Sequence, residues 1–304
     1  FAPLLVTVVR TWGASPRPVG SLMLMRVDGM YCGSVSGGCV EEDLVQRLTA
    51  GELPDTFPTR VDYGIDSDEA TRLGLPCGGR LELLVEQPEG AGALRRLLER
   101  MQANELQLRR VCLSTGEVSL HPASPADEFR YTGDVVQKVF GPRWLLLLIG
   151  AGHLSRYVSQ LARMLDYRVV ICDPREGYDD HAMDGVERLH MMPDEAVLAM
   201  ANHPRCAVVA LTHEPPLDDM ALLEALESHP FYVGAIGSRR NSEQRRKRLA
   251  ALGIGPQTLV RLHAPVGLPI GSHSPPEIAV SILAEITAVR NAVALARRDT
   301  VPVV

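Results

Sequence analysis

The stretch LLLLIGAGHLSRYVSQLARMLDYRVVICDPRE, residues 145–176, constrains the fold more than any other part of the chain. An apolar run leads into Gly150-Ala151-Gly152-His153-Leu154-Ser155. An amphipathic segment follows, then a second apolar run that ends at Asp173. This is the order strand, tight turn, helix, strand, with an acid about twenty positions after the turn. Gly150 suits the tight turn, and Gly152 lets backbone N–H groups approach a phosphate at the start of the helix, where His153 also sits. Ser155 stands in the place of a third glycine and is small enough for close packing. Asp173 is suited to accept from a ribose hydroxyl, and Arg175 is suited to face a phosphate.

The same alternation continues to the end of the chain. The buried-type runs WLLLLIG, RVVICD, CAVVALT and FYVGAIG are separated by segments of helical periodicity. That pattern predicts a parallel sheet with helices on both faces, a Rossmann-like doubly wound fold over residues 143–304. Ligands of such sheets lie outside the carboxyl ends of the strands. Those ends gather Gly150, Gly152, Asp173, His213, Gly234, Gly237, Ser238 and Arg239. Arg239 and Arg240 precede a helix beside this crevice and suit an anion. Arg246, Lys247 and Arg248 read as the solvated face of that helix. Ser274-Pro275-Pro276-Glu277 has the form of a capping box with proline just inside the helix.

The first part of the chain has a different character and reads as a smaller α+β domain over residues 1–120. LLVTVVR (4–10) is a buried strand. Residues 21–36 form two strands about the Asp28-Gly29 turn. A helix runs from about Gly38 to Ala50 and stops at Gly51. LELLVEQ (81–87) is a strand, residues 91–103 form an amphipathic helix, and 106–115 with 116–120 form paired strands. Residues 121–142, with two prolines and small polar side chains at their start, read as a linker. GSVSGGCVEEDL (33–44) places Cys39 behind Gly37 and Gly38, with Glu41, Glu42 and Asp43 in the first helical turn. A thiol there faces the positive end of a helix, which favours the thiolate. Backbone N–H groups freed by the glycines suit an anion. Cys77, in Pro76-Cys77-Gly78-Gly79, sits in a second such turn. Two thiols facing one pocket would suit a soft metal centre or sulfur chemistry.

Composition narrows the functional classes. A net charge of -6 and 5% aromatic residues argue against nucleic acid as a partner. The apolar run at 144–151 is too short to span a membrane. The six cysteines contain no C-x-x-C pair, which fits reduced thiols in a cytoplasmic protein. A homodimer is the expected assembly, as the commonest one for such chains.

Seven segments, SPRPVG (15–20), GSVSGGCVE (33–41), GLPCGG (74–79), LIGAGHLSR (148–156), THEPPLDD (212–219), GAIGSRR (234–240) and HAPVGLPIGSHSPPEIAVSILAE (263–285), together resemble the XdhC/CoxI family. These are accessory proteins of xanthine dehydrogenase and related molybdenum hydroxylases. The resemblance runs in order over nearly the whole chain; Pro76 and Glu214 depart from the usual pattern. It implies a chaperone that binds the molybdenum cofactor, bare or as its cytosine dinucleotide. Such a chaperone supports the cofactor's sulfuration with a cysteine desulfurase and delivers it to an apo-hydroxylase. It implies a cofactor lying in a cleft between the domains. Cys39 and Cys77, with Gly37, Gly38 and Arg17, would be at the molybdenum end, Cys39 as a ligand of the metal. Gly150, Gly152, His153, Asp173, Arg175, His213, Ser238 and Arg239 would be at the phosphate end. The alternative is an NAD(P)-dependent oxidoreductase that uses Gly150, Gly152 and Asp173 in the usual way, with His213 as its acid or base.

Overall fold

A computed structural model describes residues 3–13, 17–54, 56–64, 80–88, 90–124, 127–175, 185–201 and 203–293. The chain forms two compact units, residues 1–142 and 143–304.

In the first unit the apolar, β-branched run at the start becomes β1 (Leu4–Trp12). It lies in the middle of a five-stranded sheet of order β3-β2-β1-β5-β4, with every neighbouring pair antiparallel. The other strands are β2 (Leu22–Met25), β3 (Tyr31–Gly33), β4 (Thr59–Tyr63) and β5 (Arg80–Glu86). Side chains alternate between faces along a strand. Leu4, Val6 and Val8 therefore pack with Val40 and Leu44 of helix α1 (Cys39–Thr49), while Val9 and Leu84 point to the opposite face. There they meet Val111 and Val136 of a second sheet, ordered β7-β6-β9-β8. Its strands are β6 (Gln107–Cys112), β7 (Val118–Pro122), β8 (Arg130–Tyr131) and β9 (Val135–Phe140), reached through α2 (Gly90–Gln102).

Residues 121–142 are thus not the linker expected from their composition. They supply the end of β7 and all of β8 and β9, and β9 pairs with β6 along its whole length. Pro122 closes β7, and Val136, the residue that anchors β9, is buried.

The second unit holds the predicted parallel sheet. Strands β10 (Leu145–Ile149), β11 (Arg168–Cys172), β12 (Glu187–Leu189), β13 (Cys206–Ala210), β14 (Tyr232–Ala235) and β15 (Leu262–His263) are all parallel. Their order, β12-β11-β10-β13-β14-β15, is the 3-2-1-4-5-6 arrangement of dinucleotide-binding folds, with the switch point between β10 and β13. The five residues of β10 are buried on both faces. Leu146 and Leu148 pack with α3 (His153–Met164) and α8 (Pro275–Arg290). Leu145, Leu147 and Ile149 pack with α4 (Pro193–Met200) and α5 (Pro215–Glu227). Each of these side chains contributes about 2 kcal/mol by leaving water. Helices α6 (Arg239–Ala251) and α7 (Pro256–Leu259) complete the layer beside α5.

The arginine-rich helix α6 differs from expectation. Of the three residues read as a solvated face, Lys247 is exposed while Arg246 and Arg248 are partly buried. Arg246 donates to the carbonyls of Leu259 and Leu262, and Arg248 binds both carboxylate oxygens of Asp219. Arg245, on the same helix, is buried against Asp218 at 2.9 Å. The helix buries charge because α5 offers two buried acids to receive it.

Candidate functional site

The predicted residues fall into two groups, one in each unit. In the first unit β3 ends at Gly33, whose φ is +87°. A Cβ there would lie 2.3 Å from the carbonyl oxygen of Leu22, so only glycine lets the chain leave the sheet at this point. The loop then coils through Ser34, Val35, Ser36, Gly37 and Gly38 into α1. Gly38 has φ +156° and ψ −81°, a backbone that side chains forbid. Cys39 opens α1 and is exposed.

The loop's N–H groups do converge, as its glycines suggest, but on Glu41. Glu41 Oε1 accepts from the backbone N–H groups of Val35 (2.8 Å), Ser36 (2.8 Å) and Gly37 (3.0 Å), and from Ser34 Oγ (2.7 Å). Its Oε2 accepts from the Gly38 N–H at 2.9 Å and from Ser36 Oγ. Burial alone would raise the carboxyl pKa. The hydrogen bonds from Ser36, Gly37 and Ser34 outweigh burial and hold the group well below the usual carboxylate range. The donors expected to receive an external anion are therefore taken by an internal one. Glu41 also places a carboxylate in the first turn of the helix that Cys39 opens. Arg17 joins the same loop, its Nε donating to Ser34 Oγ at 3.0 Å. Cys77 lies outside the described residues, as does the whole GLPCGG segment. Among the described residues no group of three or more His, Cys, Asp or Glu side chains could hold a metal ion.

The other thiols sort by burial. Cys172 and Cys206 lie in the sheet of the second unit; burial pushes Cys172 up to about 11 and Cys206 further still. Cys112 is different, because hydrogen bonds with Ser114 and Thr115 lower its pKa.

In the second unit the carboxyl edge of the sheet is built as the sequence predicts. Gly150 has φ +107°, and a Cβ on it would stand 3.0–3.1 Å from Thr212 at the end of β13. Gly152 precedes α3 with nothing within 4 Å of its Cβ position. The first turn of α3 has no acid, and its N-cap has no side-chain hydrogen bond. Ser155 is buried and donates to the Gly150 carbonyl at 2.5 Å, so the residue in the third-glycine position ties helix to strand. His153 is exposed and stacks edge-on against Tyr157.

Asp173 is occupied internally. Its Oδ2 accepts from Ala151 N–H (2.8 Å) and Arg175 Nη2 (2.7 Å), and its Oδ1 from Arg175 N–H (3.1 Å) and Nε (2.8 Å). Burial opposes the charge, but Arg175 and the Ala151 N–H outweigh it, so the carboxyl pKa is lowered. Arg175 reaches on to Glu214 at 2.5 Å, bridging the loops after β11 and β13. A ribose hydroxyl would compete with all of these bonds.

His213 is exposed and held at φ +61°, in the turn between Thr212 and α5. Asp218, fully buried, fixes that turn by accepting from Thr212 N–H and Oγ while pairing with Arg245. Burial raises its pKa; Thr212 and Arg245 pull against the rise. Ser238 caps α6 by accepting from the Asn241 N–H. Arg239 and Arg240 stand exposed in a first turn that holds no acid. Two positive charges at the positive end of a helix repel it, so this end favours an anion.

Sequence reasoning does not find Glu41 as a binding group, and it assigns no role to Asp218, Arg245 or Glu285. Glu285 is buried and accepts from Tyr232 Oη and Gly267 N–H, both at 2.6 Å, and lies 3.2 Å from His263 Nδ1. The spacing of Gly38 and Glu41, N-cap and third helical residue, is the available signal for Glu41.

The fold and these two glycine-led helix starts define a two-unit α/β protein with a Rossmann sheet. Residues 146–286 match the family model described as the XdhC Rossmann domain, and residues 3–64 match that of the XdhC and CoxI family. The chain belongs to the XdhC/CoxI family. It is 29% identical over 288 residues to the molybdenum cofactor insertion chaperone PaoD of Escherichia coli (strain K12), covering 94% of this chain and 83% of that one. It is 26% identical over 328 residues to a probable xanthine dehydrogenase subunit of Bacillus subtilis (strain 168), covering 96% and 94%. A crystal structure described as a xanthine dehydrogenase from Bacillus halodurans superposes with a TM-score of 0.75 at 24% identity, covering 98% of this chain and 94% of that chain. This last likeness concerns the fold alone.

Proposed function

We propose that this protein is a molybdenum-cofactor chaperone for a hydroxylase of the xanthine dehydrogenase type. The observation that carries the reading is the likeness, over 94% of the chain, to a molybdenum cofactor insertion chaperone. The residues present suit such a cargo in part. Cys39 offers an exposed sulfur for a soft centre. The start of α3, open at Gly152 and with no acid in its own first turn, suits a phosphate on the side away from Asp173, as do Arg239 and Arg240 at the start of α6. The loop before α1 does not suit an oxyanion, since Glu41 fills it. When bound, the cofactor supplies the redox centre of the client enzyme; the chaperone's side chains bind and orient it. We further propose that Cys39 takes part in the cofactor's sulfuration, with a cysteine desulfurase as the sulfur donor. Asp173 leaves an NAD(P)-dependent oxidoreductase without its ribose acceptor.

The test is purification from a host that makes the cofactor, followed by metal analysis and extraction of any pterin. Molybdenum and pterin near one per chain are expected, with a large loss in Cys39→Ala and transfer to an apo-hydroxylase that gains activity. A parent protein that carries neither would sink the proposal. Cys206, buried in the sheet, serves as the inert reference thiol; Cys112 does not, because its hydrogen bonds favour its thiolate.

A further inference from the structure

The loop between β3 and α1 carries within it an anion of the kind that its glycines could otherwise receive from outside. We infer that Glu41 is a built-in anion that positions Cys39, so that the Cys39 site engages its ligand through sulfur and not through the loop's N–H groups. The nature of that ligand rests on the chaperone reading; the positioning does not.

Six donors meet one carboxylate: the N–H groups of Val35, Ser36, Gly37 and Gly38, and the hydroxyls of Ser34 and Ser36. A carboxylate has about four lone-pair sites, so it is saturated. An external oxyanion would have to displace a tethered one, which has an effective concentration of millimolar order or higher. Glu41 is buried beside Val35 and Val40, while Cys39 stands exposed at the head of the same turn. The loop is thus wound around a buried charge and presents the thiol outward. Gly37 and Gly38, at φ +101° and +156°, supply the backbone that this winding needs. They have open space at their Cβ positions, so their role is conformational and the ground beside Cys39 is clear. Arg17, bonded to Ser34, brings positive charge to the loop.

The experiment removes the anion and then returns it from solution. Glu41→Ala and the parent are alkylated with iodoacetamide at pH 7, and labelling of Cys39 is measured by mass spectrometry relative to Cys32, the exposed thiol on β3. Thermal unfolding is followed in sodium acetate and in sodium chloride of equal ionic strength. In the variant the Cys39 to Cys32 ratio is expected to change about threefold or more, as a locally opened loop would. Acetate, and not chloride, should bring the ratio back toward the parent's and raise the unfolding temperature. The parent should respond alike to both salts. An unchanged ratio, a variant indifferent to acetate, or a parent as responsive as the variant would each overturn the inference. A purely structural glutamate would lower the unfolding temperature without anion-specific recovery of the thiol. If Glu41→Ala does not unfold cooperatively, Glu41→Gln takes its place. That side chain keeps the shape but turns an NH2 group toward the loop's donors, and the ratio should again change. Failure of both to fold would make Glu41 a core residue and reject the idea. Retention of molybdenum by Cys39→Ala would count against the proposed use of Cys39, and the acetate rescue would still decide the role of Glu41.

Discussion

Helices α1 and α3 both begin after a pair of closely spaced glycines, and they treat their positive ends in opposite ways. At α1 the third helical residue is Glu41, which folds back and takes four loop N–H groups and two hydroxyls. At α3 the first turn has no acid and no capping side chain, and the space beside Gly152 is open. A glycine-rich turn therefore does not make an anion site by itself. What decides is whether the next turn of helix brings its own carboxylate.

The largest expected effect comes from the glycine that holds the α3 turn. Gly150→Ala would force a side chain into a left-handed backbone at +107° and against Thr212. A loss of about 3 kcal/mol or more in urea unfolding is expected from strain and overpacking together. Gly152→Ala, with ordinary φ and open space, should change stability by less than about 1 kcal/mol while weakening phosphate binding at the crevice. Equal losses for the two would break the view of α3 as a site with one structural and one open glycine.

Next is Glu41→Gln, which should cost about 2 kcal/mol at pH 7 because buried donors lose an ionised acceptor. The pH dependence has a definite sign. The folded carboxyl pKa lies below the unfolded value of about 4.3, so its contribution is complete above that pH. It is lost as the pH falls below that value toward the folded pKa. Acid titration followed by circular dichroism should therefore show the parent losing stability over that window more steeply than the variant. Parallel curves would mean that the clamp is not electrostatic.

Asp173→Asn should cost about 1–3 kcal/mol by disturbing the bonds to Arg175 and Ala151, measured by thermal unfolding without ligand. A variant as stable as the parent but deficient in NADH binding, with a parent that binds NADH tightly, would restore the dinucleotide reading. The smallest effect is Ser155→Ala, about 1 kcal/mol for one hydrogen bond to the Gly150 carbonyl. Ser155→Gly should cost more, because it also places glycine within a helix.

The parallel sheet was legible because its information is local. Apolar runs of strand length, helical periodicity and a tight glycine turn repeat in sequence order, and β10 to α3 follow them. Cys39 at a helix start was legible for the same reason. The strands β8 and β9 were not, since their content is mixed and only pairing with β6 makes them strands. Nor was the burial of Arg245, whose partner Asp218 lies 27 positions away on another helix. The sequence marks Glu41 as an acid suited to a helix start. That its carboxylate gathers five preceding residues is a fact of three-dimensional winding that dipole arguments do not contain.

The two cysteines in the sheet of the second unit have a use of their own. Cys172 and Cys206 are wholly shielded in the native state, with proton affinities pushed upward by that shielding. A reagent can reach them only when the surrounding sheet comes apart. The rate at which they become labelled is therefore a clock for opening of the second unit, read apart from the labelling of Cys39 in the first. With both signals read from one mass spectrum, a cargo that steadies only one unit would slow one clock and leave the other running.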